Sequence, residues 1–370
     1  EVRQLAGQAV GELTHLGDTT GIVIFALVTG VTAAVGYRLI HALGRVASVI
    51  CALAFVYLGI RLLERADLGT LLADRTFDLP LFLLAISLSA SWQLAFGPYV
   101  ADYSRYLPRT TSAKATFWWT LGGSALGSQW SMTFGALAAS AAGGAFVGHE
   151  VGYVVGLGGA GLIASALYFV IALGKLTINV LNTYGGFMSL VTSVSGFRGQ
   201  AALSSRGRAA YIAGIMVAGT VVALLGKDSF LTSFKDFLLF LLTFFTPWSA
   251  INLVDYYLIA KERYDLPALS DPHGRYGAYR WQALTVYVIG LVAQLPFLST
   301  HFFTGPLVGP LGGADVSWVV GLAVPAALYW LLARRDTSHV PDHTILAPEP
   351  GPEPAPERGV SPTVRVKETP

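Results

Sequence analysis

Apolar positions along this chain gather into nine long runs separated by polar stretches. About 20 consecutive apolar residues span a bilayer. Runs of that kind fall near 21–37, 44–63, 79–103, 116–141, 163–193, 209–226, 234–258, 281–299 and 316–333. They predict an all-α integral membrane protein with nine crossings. The stretch from Val151 to Val194 is long enough for two, and loop charge decides between one and two. Arg38 and Arg45, then Arg105, Arg109 and Lys114, then Arg198, Arg206 and Arg208, occupy alternate loops. Lys261, Arg263, Arg275 and Arg280 continue the series, and Arg334 and Arg335 follow the last run. Intervening loops are balanced, as with His149 and Glu150, Lys227 and Asp228, or His301 and Asp315. Arg61, Arg65 and Arg75 are offset by Glu64, Asp67, Asp74 and Asp78.

Positive loops face the cytoplasm. The alternation holds when 151–194 crosses once, with 151–162 as an external surface segment. Glu1 is then outside and the C-terminus cytoplasmic, as expected for a multi-pass protein of the plasma membrane. Residues 1–335 form the membrane domain. The tail 336–370 is rich in Pro and Glu, cannot bury enough apolar surface to fold alone, and is expected to be a disordered cytoplasmic segment.

Composition narrows the function. The chain is 54% hydrophobic and 12% charged, with mean hydropathy +0.58, against about 25% charged in ordinary soluble domains. A net charge of +2 with no basic face gives no reason to expect a nucleic-acid partner. The single cysteine, Cys51, allows no disulfide framework and no CxxC metal site. No HExxH, GxSxG or GxxxxGK[ST] motif occurs, and the histidines fall in loops or at run ends. An enzyme is therefore not expected, nor a cofactor or a bound metal.

The run 79–103 carries Gly97-Pro98 near its end. Proline removes a backbone donor, and the carbonyl it frees finds no water in lipid. Such a break is kept where backbone lines a cavity, which in transporters marks the substrate site. Four segments in order resemble the purine–cytosine permeases, the nucleobase–cation symporter family. Trp92 to Pro108 (WQLAFGPYVADYSRYLP) is similar to that family's sixth-helix signature. Gly36-Tyr37-Arg38-Leu39-Ile40-His41 resembles its fourth-to-fifth link, Asn179 to Gly186 (NVLNTYGG) its eighth-helix core, and Thr246 to Tyr257 (TPWSAINLVDYY) the end of its tenth.

The resemblance implies an inverted five-helix-repeat transporter fold with discontinuous helices and two additional helices. It also implies a chain truncated at the N-terminus, opening within the third helix around Leu5 to Val10. The function implied is a secondary active transporter of a purine, cytosine, allantoin, hydantoin or similar ring, coupled to Na+ or H+ by alternating access. The alternative, prompted by the missing helices, is a non-transporting relic, a sensor, or a subunit completed by a partner. A partner subunit is expected only if the truncation is real.

A flat heterocycle calls for aromatic faces and neutral polar groups along its edge. Trp92, Gln93, Phe96 and Gly97 precede the break, and the spacing of Trp92 and Phe96 puts both on one helical face. The family's stacking aromatic aligns with Gln93, so Trp92 and Phe96 are both candidates for that role. The resemblance implies a substrate-contacting Asn here, with Asn182 the better match and Asn179 the second candidate, otherwise a structural residue. Thr177 matches the hydroxyl that sodium-coupled members offer the ion, although Leu176 replaces a second one. Lys175 is an amine deep in an apolar crossing. It is either a fixed or titrating charge near the ion site, or a lysine reaching segment 151–162. Gln4 and Gln8 remain from the third helix, where the family uses a Gln for the base edge. Asp255 reads as an interfacial anchor beside Tyr256 and Tyr257.

Overall fold

The computed structural model describes residues 2–340 except 36, 68, 70–72, 74–75, 105–106, 109, 199–203, 227–229, 270, 337 and 339. Tail residues 341–370, Gly36, Asp74, Arg75, Arg105, Arg109, Lys227 and Asp228 lie outside that set, as do the side chains of Arg38, Leu39, Ile40, His41 and Arg198. Helices follow one another: α1 (Val2–Thr14), α2 (Asp18–Val35), α3 (Tyr37–Arg65), α4 (Leu79–Ser104), α5 (Ala113–Ala142), α6 (Glu150–Gly158), α7 (Leu162–Arg198), α8 (Ser205–Leu225), α9 (Phe230–Leu253), the short α10 (Leu266–Leu269), α11 (Trp281–Gln294) and α12 (Ser317–Ala333). A π-helical segment, Val254–Ile259, continues α9.

Each predicted crossing coincides with a helix. Among the described residues five helices are long and apolar enough to cross by themselves: Gly44–Arg65, Leu79–Ala101, Leu162–Gly196, Arg206–Leu225 and Leu231–Ile259. Two helix pairs are long and apolar enough only when taken together, and each is sharply bent. Gln4–Thr14 turns through 108° into Asp18–Ala33, and Ala113–Ala145 turns through 109° into Glu150–Gly158. Left-handed backbone makes these corners, at His15 (φ 58°) and Gly17 (φ 79°), and at Gly143 (φ 56°) and Gly148 (φ 83°). Trp281–Phe297 and Ser317–Ala333 are shorter apolar helices. Large apolar side chains face outward along the spans, Leu225 at 80% and Leu126 at 75% exposure, as lipid-facing surface requires.

Two expectations are corrected. Gly97-Pro98 does not break the helix, because α4 runs from Leu79 to Ser104 with Pro98 inside. One proline removes one donor, and the apolar helical sequence on both sides carries the helix across the gap. Segment 151–162, expected as a surface stretch, is packed over 151–158 as part of helix α6, while 160–162 stay exposed. Helix α6 buries Val151, Val155 and Leu157 with Leu58 and Leu62 of α3 and Leu167 of α7. Its orphan C-terminal carbonyls are met from α3. Tyr57 donates to Gly158 O at 2.6 Å and Arg65 to Gly156 O at 3.0 Å. At its N-terminus Glu150 accepts from Gly148 N at 3.0 Å and from Gln8 Nε2 at 3.3 Å, a favourable place for a carboxylate.

The chain divides into two compact units, 1–246 with 294–319, and 247–293 with 320–370. In the first, α1 packs between α2 and α7, α3 lies on α7, and α8 joins α2 and α7. The α1–α2 crossing is close because both faces carry glycine. A Cβ on Gly21 would stand 2.1 Å from Gly7 O and 2.7 Å from Gly11 N. Gln294 is fully buried in this unit. Its Nε2 donates to Thr243 O, and its Oε1 accepts from Thr246 Oγ1, each at 3.0 Å.

The second unit has its own core of Ile251, Val254, Ile259, Val286, Tyr329 and Ala333. Asp255 organises its polar end. Tyr329 donates to Oδ1 and Tyr264 to Oδ2, both at 2.6 Å. Arg280 Nη2 lies 3.8 Å from Oδ1, and its Nη1 bonds Asp336 at 2.9 Å. Burial, then the bond to Asp255, pushes the Tyr264 hydroxyl well above the usual tyrosine range. Asp255 is thus the hub of a network.

Candidate functional site

Within the first unit a cavity of about 1490 Å³, open on one side, lies along α4 and α5 and reaches α7. It exceeds the roughly 300–1,000 Å³ of ordinary small-molecule pockets. Trp92 and Phe96 both line it, as their common helical face predicts. Trp92 is 47% exposed, so its indole is available to a ligand. The opposite wall is a row of hydroxyls on α5, Thr116, Thr120, Ser124 and Ser128, repeating every four residues. Helical periodicity puts such residues on one face. This row was legible in the sequence as a spacing, yet its partner helix was not.

Gln93 bonds two residues of that row. Ser124 Oγ donates to its Oε1 at 2.7 Å, and its Nε2 donates to Ser128 Oγ at 2.9 Å. Both ends of the carboxamide are therefore held by α5. Gly97 has open space where a Cβ would point. One turn beyond Gln93, Phe96 stacks on Tyr99 with centroids 6.1 Å apart and planes at 13°. The Tyr99 hydroxyl donates to Asn182 Oδ1 at 2.9 Å. That bond joins α4 to α7 at the level of the predicted site, and nothing in the sequence pointed to Tyr99.

On α7, Ile178 lines the cavity and Asn182 lies one turn further on. Asn179 is buried at 6% exposure and donates to Thr29 Oγ1 of α2 at 3.0 Å. It ties α7 to α2. Thr177 donates to Gly174 O at 2.8 Å, which leaves its oxygen lone pairs for other partners. Lys175 shares a helical stripe with Ile178 and Asn182 by spacing, whereas Thr177 falls on the other side. Next to Lys175, Gly174 packs against the sulfur of Cys51 of α3. The structure thus gathers Trp92, Phe96 and, through Tyr99, Asn182. It sets Gln93 and Asn179 into helix contacts and separates Thr177 from Lys175 around α7. Gln4 bonds Ala223 O at 3.1 Å, and Gln8 bonds Glu150. Among the described residues no group of three or more His, Cys, Asp or Glu gathers to hold a metal ion.

Comparison with known proteins bears on this arrangement. Mhp1, a nucleobase-cation-symport-1 family transporter solved in a closed conformation with bromovinylhydantoin bound, has the same fold at a TM-score of 0.59 and 21% identity. The match covers 89% of this chain and 71% of that one. A putative purine-cytosine permease of Bacillus subtilis (strain 168), YxlA, is 40% identical over 257 residues, 70% of this chain and 55% of the relative. The chain thus spans about half the length of that relative. The sequence profile of permeases for cytosine/purines, uracil, thiamine and allantoin matches residues 2–321. With apolar helices throughout and that match over most of its length, the chain belongs to this family of multi-pass membrane permeases.

Proposed function

We propose that this protein is a secondary active transporter of a nucleobase or related heterocycle, coupled to Na+ or H+ and working by alternating access. The observation that carries this is the cavity of α4, α5 and α7, where Trp92 and Phe96 offer ring faces and Phe96 is linked through the stacked Tyr99 to Asn182. Aromatic faces and carboxamides suit a flat ring with amide-like edges. An apolar surround penalises any ligand that leaves those groups unpaired. Trp92 or Phe96 stacks on the ring and Asn182 reads its edge. Gln93, on α4, supports the wall through its bonds to Ser124 and Ser128 of α5. Thr177 and Lys175 are the candidate ion-coupling residues, Lys175 as a charge standing in for sodium or carrying the proton. Loop charge supports a plasma-membrane location with the C-terminus in the cytoplasm.

Uptake of labelled cytosine, uracil, hypoxanthine and allantoin into membrane vesicles tests the reading. Trp92→Ala and Asn182→Ala should each weaken binding at least tenfold, on the order of one lost stacking or hydrogen-bonding contact. Binding of every ring left intact by both changes would refute the site. Uptake that survives sodium replacement and stops when the proton gradient collapses assigns H+. Lys175→Met should then uncouple uptake from that gradient, and normal coupling in this variant removes Lys175 from the mechanism.

A further inference from the structure

A carboxamide presents an acceptor on one side and two donors on the other, and a half-turn about its terminal bond exchanges them. Which side meets a ligand is therefore decided by whatever holds the amide. At Asn182 the holder is Tyr99, whose hydroxyl donates to Oδ1 at 2.9 Å. Among the described residues no hydrogen bond engages the Asn182 nitrogen. The tyrosine ring is itself fixed, stacked at 13° on Phe96, which lines the cavity. Ile178, one turn from Asn182 on the same face, lines the cavity too. The chain of contact runs from an aromatic wall, through a stacked tyrosine, to the orientation of the amide.

Resting on the heterocycle reading above, we propose that Tyr99 is a positioning residue that occupies the Asn182 carbonyl and turns its two N–H bonds toward the ligand. The contact then accepts a ring carbonyl and rejects an exocyclic amino group at the same place. A donor facing a donor leaves both unpaired in an apolar site, and sites built on hydrogen bonds discriminate through such mismatches. The substrate class selected at this contact is the oxo-substituted ring.

Two ligand pairs isolate the effect. Hypoxanthine and adenine differ in carrying a carbonyl or an amino group at C6, and uracil and cytosine differ likewise at C4. Dissociation constants for all four are measured by competition with the native protein and with Tyr99→Phe, which keeps the stacked ring and removes the hydroxyl. The expected result is a fall of roughly tenfold in the preference for the oxo over the amino member of each pair, the worth of one misdirected hydrogen bond. Asn182→Asp offers only acceptors, so it should shift both ratios further toward the amino rings. A Tyr99→Phe variant that weakens all four ligands by one common factor, or leaves the ratios unchanged, overturns the positioning role while the transport reading stands. Binding untouched by Asn182→Ala removes the role as well. A native protein that binds none of the four overturns both readings.

Discussion

Gln294 offers the sharpest test of how this chain keeps a proline inside a membrane helix. Helix α9 is continuous through Pro247, so the Thr243 carbonyl, four residues earlier, has no N–H to accept from. Gln294 Nε2 supplies one at 3.0 Å, and the residue is fully buried, so water cannot substitute. Replacing Gln294 by leucine keeps the bulk and removes that donor along with the bond from Thr246. An unsatisfied buried carbonyl costs about 1–3 kcal/mol, and hydrogen bonds between membrane helices measure about 0.6 and at most about 1.7 kcal/mol. Gln294→Leu should therefore destabilise by about 2 kcal/mol. In a Pro247→Ala background the alanine N–H returns to Thr243 O, and the loss should shrink by about 1 kcal/mol. Reversible SDS titration of the native protein, the two single variants and the double variant in mixed micelles closes this cycle. An equal loss in both backgrounds would refute the compensation.

Two further outcomes follow from local geometry. Gly21→Ala drives a methyl to 2.1 Å from Gly7 O, so the α1–α2 crossing must open, at a cost of about 1–3 kcal/mol. Gly122→Ala, with open space around it, is the control, and equal melting temperatures for the two would contradict the close approach. The Tyr264 hydroxyl is held protonated in the fold above its unfolded value, which is about 10. Its contribution to stability is therefore present below about pH 10 and is lost as pH rises through the folded value. Melting temperature measured from pH 8 to 11 should fall less steeply for Tyr264→Phe than for the native protein, and parallel curves would count against the Asp255 bond.

The sequence by itself determined the helices, because a bilayer admits only long apolar segments with internally satisfied backbones, and that requirement is written residue by residue. It also placed Trp92 and Phe96 on one face, since a spacing of four is a property of the helix alone. Only the tertiary structure decided where the chain bends. Pro98, the strongest breaking signal, is absorbed within α4, while glycines at 17, 143 and 148 make or adjoin the sharp corners. Hydropathy marked 151–162 as apolar but could not tell lipid from protein as its neighbour, and packing against α3 and α7 settled that. The same limit applies to polar side chains. Gln93, Asn179, Asn182 and Asp255 look alike in a sequence, as polar groups in apolar surroundings. They differ in their hydrogen-bond partners, most of them distant in the chain: Ser124 and Ser128 for Gln93, Thr29 for Asn179, Tyr99 for Asn182, and Tyr264 with Tyr329 for Asp255. A hydrogen bond needs two groups within about 3 Å, and only the fold brings such groups together.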